Sequence, residues 1–138
     1  MAITFIERGT SGGRIIDSDV SITMVKAGET TQLSISLKSS TVNVRLNGAN
    51  FIAIGWDADT NRLYIIPGDE RNSYKLSESK KSGDRRRLTV RTSKFEGIVE
   101  SPSMLCGEYN LKFDADERAY YVDYNDVVRF QSRKIRTI

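Results

Sequence analysis

Apolar and polar residues alternate with a period of two through much of the chain. The segments VSITMV (20–25) and TQLSISL (31–37) show this alternation on either side of KAGETT, which contains a glycine. Such alternation is typical of half-buried strands, and a glycine between two of them favours a turn. We therefore predict a β-hairpin over residues 20–37.

A second hairpin is predicted around Asn47-Gly48. This dipeptide readily adopts the positive backbone φ angles of a two-residue hairpin turn, and it lies between TVNVRL and ANFIAIGW. The next segment, WDADTNRLYIIPG, is typical of a strand, a short loop and a strand that Pro67-Gly68 ends. These patterns predict hairpins over residues 41–54 and 50–66.

The pattern of an aromatic residue followed by Asp-Ala-Asp occurs twice. WDADTNRLYII (56–66) returns 57 positions later as FDADERAYYVD (113–123), and apolar positions fall on apolar positions. The repeat predicts a hairpin over residues 107–124 that packs face to face with the first one around a shared core. An approximate two-fold axis would then place Trp56 and Phe113 in equivalent environments. The alternative is that any two amphipathic strands around an Asp-rich turn resemble each other.

These patterns predict a mainly β protein with little helix, folded as a single compact β-barrel or a sandwich of hairpins with an internal pseudo-duplication. A chain of 138 residues fits one domain that buries roughly two-thirds of its unfolded-chain surface. KFEGIVE is the segment that favours one or two helical turns. The predicted parts of the single domain 1–138 are a first β half (20–68), a basic loop (69–86), a second β half (87–126) and a basic C-terminal tail (127–138).

The composition excludes most catalytic centres. The sequence has no histidine and a single cysteine, Cys106, which excludes Ser-His-Asp triads, Cys-His pairs and disulfides within the chain. Two Asp-x-Asp pairs remain, Asp57 with Asp59 and Asp114 with Asp116. They favour turns, because Asp side chains bond nearby backbone amides, and metal binding is the alternative. We expect no enzyme activity, no metal or other cofactor, and a core position for Cys106.

The start of the chain is not typical of a targeting segment. MAITFIERGTSGGR lacks the basic start, the apolar stretch and the cleavage site of a signal peptide. The apolar runs are a few residues long, whereas a membrane-spanning helix needs about 20, so we expect a cytoplasmic protein with no membrane partner. RGTSGGR (8–14) lacks the Gly-Lys-Ser/Thr of a nucleotide-binding loop, and Arg8 and Arg14 are auxiliary candidates for phosphate contact.

The second β half resembles a known regulator module. RRLTVR, KFEGIVE and GEYNLKFDADERAYYVD, between positions 86 and 123, are similar to the small swapped-hairpin modules of AbrB-type transcription regulators. In those modules a strand, a short helical element and a Gly-acidic turn precede a strand pair, and Gly107-Glu108 followed by YNLKFD and AYYV carries the match. The resemblance implies a swapped-hairpin-like fold and a role in DNA binding. Similar modules occur in uncharacterised bacterial and phage proteins.

Positive charge is concentrated in two segments. Residues 71–94 carry a net charge of +7 and residues 129–138 one of +4, whereas residues 95–126 carry −6. Arginine binds phosphate oxygens through a planar fork of donors. The predicted nucleic-acid-binding residues are bases of the two positive segments: Lys80, Lys81, Arg85, Arg86, Arg87, Arg91, Arg129, Arg133, Lys134 and Arg136. The alternative is that these charges only keep loops solvated.

We also expect that reversing the charges of Arg85, Arg86 and Arg87 leaves the fold intact, because solvated loop charges contribute little to stability. Six aromatic residues are candidates for base stacking, although alternation along strands favours core or cross-strand packing for them. They are Trp56, Tyr64, Phe113, Tyr120, Tyr121 and Tyr124.

Three functions from different classes are compatible with these observations. The first is a small nucleic-acid-binding regulator, with DNA as the expected partner and a homodimer as one form it can take. The second is a small interaction or inhibitor protein, of phage origin in one version of the hypothesis, that binds a host protein. The third is an enzyme that uses the Asp pairs. The charge distribution favours the first.

Overall fold

Strands make up most of the regular structure. The computed structural model describes residues 18–79, 82–128 and 136–137. The strands are β1 (Val20–Ala27), β2 (Thr30–Lys38), β3 (Phe51–Asp57), β4 (Arg62–Pro67), β5 (Tyr74–Lys75), β6 (Ser77–Ser79), β7 (Ser82–Arg91), β8 (Gly107–Tyr109), β9 (Lys112–Asp114), β10 (Ala119–Asp123) and β11 (Arg136–Thr137). Helix α1 is Ser39–Arg45, and 3-10 segments are Thr92–Phe95, Pro102–Leu105 and Tyr124–Asp126. The prediction of a mainly β protein with little helix is confirmed.

The strands form two separate sheets. The six-stranded sheet has the order β11-β1-β2-β7-β6, and β8 also pairs with β1. The five-stranded sheet has the order β5-β3-β4-β10-β9. β11 runs parallel to β1, and the other pairs are antiparallel. The sheets do not close into a barrel, so the barrel alternative is wrong and the arrangement of hairpins in two sheets is confirmed.

One apolar core joins the two sheets and α1. Ile22 and Ile35 of the six-stranded sheet and Ile65 of the five-stranded sheet are fully buried in the same cluster. Helix α1 contributes Val42, and Leu46 follows one turn later on the same face. No helix among the described residues is long and apolar enough to cross a membrane.

Two of the predicted hairpins are confirmed and one is wrong. β1 pairs with β2 and β3 pairs with β4, as predicted for residues 20–37 and 50–66. The hairpin over 41–54 is wrong, because α1 occupies its first half. Val42 and Leu46 are both buried and four residues apart, so TVNVRL also satisfies the spacing of a helix.

Asn47 and Gly48 have the predicted backbone conformation but a different role. Their φ angles are 56° and 64°, in the left-handed region that such a turn requires. The Gly48 amide donates to the Val42 carbonyl at 2.9 Å, which is a hydrogen bond that closes a helix C-terminus. The dipeptide therefore ends α1 instead of joining two strands.

The hairpin over residues 107–124 is only partly present. β9 pairs with β10 across the Asp114–Glu117 turn, as predicted. β8 instead leaves this sheet and pairs with the start of β1, where Glu108 lies opposite Ser21. The reason is burial: Tyr109 is almost fully buried, and its place beside β1 puts it in the shared core.

The predicted basic loop over residues 69–86 is also wrong. β5, β6 and the first half of β7 lie in it, and β7 pairs with β2 from Arg91 back to Arg85. The segment contains few apolar residues, but Leu76 is buried, as are Leu88 and Val90 just beyond it. Pairing along a long neighbouring strand satisfies the backbone hydrogen bonds, so this strand forms although its composition is that of a solvated loop.

The two Asp-x-Asp hairpins are related by a local two-fold axis. β4 and β10 lie side by side with Tyr64 opposite Tyr121, and these positions differ by 57. Trp56 lies opposite Leu63 on the neighbouring strand, and the residues 57 positions later, Phe113 and Tyr120, also lie opposite each other. The φ angles are positive at matching turn positions, 56° at Asn61 and 52° at Arg118. The axis passes between Tyr64 and Tyr121, so the predicted two-fold relation is present. The hairpins lie edge to edge in one sheet, however, and the predicted face-to-face packing is wrong.

The environments of the two repeated aromatic residues nevertheless differ. Trp56 packs against the core, whereas Phe113 is 54% exposed and contacts Tyr120, with ring centroids 5.0 Å apart. β3 lies between β4 and β5, but β9 is the outermost strand of its sheet. The expectation of equivalent environments is therefore wrong, because the two-fold axis relates the strands and not the elements that cover them.

Candidate functional site

Strand β7 divides the predicted phosphate-binding arginines between two faces of the six-stranded sheet. Leu88 and Val90 point into the core. Since side chains alternate along a strand, Arg87, Thr89 and Arg91 lie on the opposite, outward face, and all three are exposed. We call the outward face of β7 with these three residues the arginine face.

Arg85 points to the same side of β7 as the arginine face. It is nevertheless buried, with 8% of its surface exposed. Its Nε donates to Ser36 Oγ at 2.7 Å. Its Nη1 donates to the Ser18 carbonyl at 2.8 Å and its Nη2 to the Ser36 carbonyl at 3.1 Å. These bonds use the guanidinium donors within the fold, so Arg85 is a structural residue.

Arg86 is also engaged within the protein. Its Nη1 donates to the Ala49 carbonyl at 3.2 Å and its Nη2 to Asn50 Oδ1 at 3.1 Å. It therefore holds the segment after α1 against β7. Of the arginine triplet 85–87, only Arg87 is exposed to solvent.

β7 and β11, the described strand of the C-terminal tail, belong to the same sheet. β11 pairs with β1 so that Arg136 lies opposite Val25, Val25 lies opposite Gln32, and Gln32 lies opposite Arg91. These four residues form one row across the sheet. The fold thus places β7, from the first positively charged segment, and β11, the described part of the second, in one sheet.

The remaining predicted contacts lie outside the described residues. They are Lys80, Lys81, Arg129, Arg133 and Lys134, together with the auxiliary candidates Arg8 and Arg14. Their part in a binding surface stays a prediction.

The Asp-x-Asp pairs form turns, as their spacing predicts. Asp57 Oδ1 accepts from the Asp59 amide and Asp114 Oδ1 from the Asp116 amide, each at 3.0 Å. In the part of the chain that the structure describes, no group of three or more Cys, Asp or Glu residues is placed to hold a metal ion. Cys106 is buried, and its burial raises the pKa of the thiol.

A polar cluster on the outer surface of the five-stranded sheet was not predicted. Asp114 Oδ2 accepts from the Tyr64 hydroxyl at 2.8 Å and from Arg62 Nη1 at 3.0 Å. The Arg62 guanidinium lies over the Tyr121 ring, 4.2 Å from its centroid. The Tyr64 hydroxyl, followed by the Glu117 amide, lowers the pKa of the Asp114 carboxyl below its usual value.

Removing the Tyr64 hydroxyl is expected to raise the pKa of Asp114. In Tyr64→Phe the carboxylate loses its main donor, so the pKa moves back toward the ordinary aspartate value. A carbon-detected NMR titration of the Asp114 carboxyl measures the change. Tyr74→Phe, in β5, is the matched control and should leave the titration unchanged.

The direction of the Asp114 pKa shift determines how the stability of the fold changes with pH. Because the pKa of Asp114 is lowered in the folded protein, its carboxylate stabilises the fold above the unfolded-state pKa. This stabilisation is lost as the pH falls through the folded-state pKa. Tyr64→Phe should therefore show a smaller loss of stability between about pH 5 and pH 2 than the unmodified protein. A larger loss would contradict the role given to the hydroxyl.

Most of the candidate stacking residues are used in packing. Trp56, Tyr120 and Tyr124 contact the core, and Tyr121 is buried beneath Arg62. Phe113 alone among the six candidates is a large hydrophobic side chain more than half exposed. Tyr64 packs across the strands against Tyr121, and Phe113 packs against Tyr120. The preference for core or cross-strand packing is thus confirmed for all six.

Two structural features were missed from the sequence. Asp19, just before β1, joins α1 to the connection between β8 and β9. Its carboxylate accepts from Thr41 Oγ1 at 2.9 Å and Arg45 Nη1 at 3.4 Å in α1, and from the Leu111 amide at 3.0 Å. No local pattern marks such a residue. The sequence did contain an indication that Arg62 has a specific role. The two copies of the repeat differ there, with arginine at position 62 and alanine at the matching position 119.

Comparison with known proteins does not extend this description. No known protein-family model, curated protein or solved structure matches the chain. Its function is therefore argued from its own surfaces.

Proposed function

We propose that this protein is a small nucleic-acid-binding protein that contacts phosphates through the arginine face and the adjoining C-terminal strand. The observation that carries the proposal is that β7 and β11 belong to the same six-stranded sheet. β7 carries the exposed Arg87 and Arg91, and β11 contains Arg136. Strands from two segments that are rich in basic residues and far apart in the sequence thereby belong to the same sheet.

The spacing of the exposed groups supports contact with a nucleic-acid backbone. Arg87 and Arg91 are four residues apart on one strand, which separates their Cα atoms by about 13 Å. Thr89 lies between them and offers a hydroxyl that can donate to a phosphate oxygen. Exposed Lys94 follows within one turn of the strand end. The surface thus presents several groups that can donate to phosphate oxygens.

The opposite charge of the five-stranded sheet supports a defined orientation. Its two hairpin turns contain Asp57, Asp59, Asp114, Asp116 and Glu117. A polyanion is repelled from these turns and attracted to the arginine face. The charge asymmetry would thus present the six-stranded sheet to DNA or RNA, and DNA is the form that the AbrB-like resemblance favours.

A small interaction protein that binds a host protein is the second candidate. The outer surface of the five-stranded sheet favours it, because that surface carries an open hollow lined by Asp57, Glu117 and Tyr64. The sequence contains no histidine, so we infer a binding role in preference to catalysis.

The salt dependence of binding tests the first proposal. Anisotropy of a labelled random-sequence DNA duplex should report binding at low salt. Contact with about four phosphates gives a slope of roughly −3.6 when the logarithm of affinity is plotted against that of salt concentration. An undetectable affinity at low salt, or a slope near zero, would contradict the proposal.

A double charge reversal on the arginine face locates the contact. Arg87→Glu with Arg91→Glu should weaken binding and flatten the slope to roughly −1.8, because two phosphate contacts are lost. The matched control is Arg71→Glu with Lys75→Glu, which makes the same change in net charge at exposed positions outside the arginine face. An equal loss in both double variants would show that net charge alone determines the affinity.

A further inference from the structure

The outer surface of the five-stranded sheet has an open hollow of about 310 Å³. Its walls include the Tyr64 and Ala119 side chains, Gly55, and two carboxylates, Asp57 and Glu117. It lies on the sheet opposite to the arginine face and takes no part in the proposed phosphate contacts.

The local two-fold axis relates this hollow to the Arg62–Asp114 cluster. A shift of 57 residues converts the residues of the hollow into residues of the cluster, because the strand registers of the two hairpins match. The matching pairs are Asp57 with Asp114, Tyr64 with Tyr121, Gly55 with Lys112, and Ala119 with Arg62. The hollow and the cluster are therefore two versions of one site.

In the cluster, this site is filled by a guanidinium. Arg62 lies 4.2 Å from the centroid of the Tyr121 ring and donates to Asp114 Oδ2 at 3.0 Å. The cation is thus held between an aromatic face and a carboxylate, and Tyr121 beneath it is 8% exposed. Stacking on an aromatic ring and forked hydrogen bonds to a carboxylate are properties of arginine that lysine lacks.

In the hollow, the positions that match Arg62 and Lys112 have no long side chain. Ala119 stands where Arg62 would, and Gly55 stands where Lys112 would. The aromatic ring and the carboxylate are retained as Tyr64 and Asp57. Tyr64 is also held in place, because its hydroxyl donates to Asp114.

We propose that the hollow binds the guanidinium of an arginine side chain supplied by a partner protein. The arginine stacks on the Tyr64 ring and donates to the Asp57 carboxylate, as Arg62 does with Tyr121 and Asp114. Glu117 adds a second negative charge at the rim, so the charge of the hollow is complementary to that of the ligand.

The position of the hollow at a strand edge favours a peptide as the source of the arginine. In the described chain, β5 pairs with β3 only at Phe51 and Ile52, and no strand lies beside Gly55–Asp57 there. The backbone of an extended peptide can lie along this free edge while its arginine enters the hollow. A free guanidine compound would lack those backbone contacts.

Titration with short blocked peptides tests the proposal. The three probes are acetyl-Val-Arg-Val-amide, its lysine analogue and its citrulline analogue, which keeps the shape of arginine without the charge. Binding is followed by calorimetry. The arginine peptide should bind at least about tenfold more tightly than either analogue, because charge and fork geometry are both needed. Equal affinities, or no binding at millimolar concentration, would overturn the proposal.

Two variants place the ligand in the hollow. Ala119→Arg should fill it with the protein's own guanidinium and abolish binding, whereas Ala58→Arg, at an exposed turn position, should leave binding unchanged. Asp57→Asn removes the charge but can still accept from the Asp59 amide, so the turn is retained and binding should weaken by about tenfold or more. Unchanged affinity in Asp57→Asn would overturn the proposal even if Ala119→Arg failed to fold. Agmatine that binds as tightly as the peptide would overturn the assignment to a protein partner.

Discussion

Replacing Arg85 by glutamate is expected to destabilise the protein by about 3–5 kcal/mol, the usual cost of breaking a buried charged network. The substitution would remove the donors to the Ser18 and Ser36 carbonyls and bring a carboxylate toward those carbonyl oxygens. Because small domains have a total stability of roughly 5–15 kcal/mol, a large unfolded fraction is expected at 37 °C.

Urea unfolding followed by circular dichroism measures this effect. Arg87→Glu is the matched control, two residues away on the same strand and exposed, and it should change stability by no more than about 0.5 kcal/mol. Equal stability of the two variants would contradict the structural role of Arg85. The expectation that reversing all three charges of Arg85, Arg86 and Arg87 leaves the fold intact is replaced by this prediction, since two of these residues are bonded within the protein.

Trp56→Ala is expected to cost about 3 kcal/mol of stability, whereas Phe113→Ala should cost about 1–2 kcal/mol. The repeat gives the two residues matching positions in their hairpins. Trp56 contacts the core, however, and Phe113 is 54% exposed, so the indole loses more contacts and leaves a larger void.

Thermal or urea unfolding of the two alanine variants under the same conditions separates them. A third variant, Phe113→Leu, keeps apolar surface over Tyr120 and should lie close to the unmodified protein. If both alanine variants cost the same, the sheets would cover the two hairpins equally, contrary to the exposure of Phe113.

The two binding proposals place different chemistry on opposite sheets. The arginine face presents cations to phosphates, while the hollow beside Tyr64 presents carboxylates to a cation. The charge reversal at Arg87 and Arg91 should leave binding of the arginine peptide unchanged, and Asp57→Asn should leave DNA affinity unchanged. The two activities can therefore succeed or fail independently.

Local patterns in the sequence determined two of the hairpins and the repeat. Period-two alternation is a property of neighbouring residues, so the hairpins over residues 20–37 and 50–66 could be predicted from it. The offset of 57 residues likewise revealed the two-fold relation of the Asp-x-Asp hairpins, because matching side chains specify matching registers. The positive φ angles of Asn47 and Gly48 were also a local property.

Tertiary contacts decided the rest. Whether TVNVRL became a strand or a helix depended on the core that buries Val42 and Leu46, and whether β8 stayed with β9 depended on the free edge of β1. Arg85 and Arg86 are engaged within the protein because carbonyls of Ser18, Ser36 and Ala49, which are distant in the sequence, accept their hydrogen bonds. The hollow exists because Ala119 and Gly55 lie beside Tyr64, and only the pairing of strands from both halves of the chain brings them together. The alternation of apolar and polar residues predicts which side chains share a face of a strand, but it does not predict which other element covers that face.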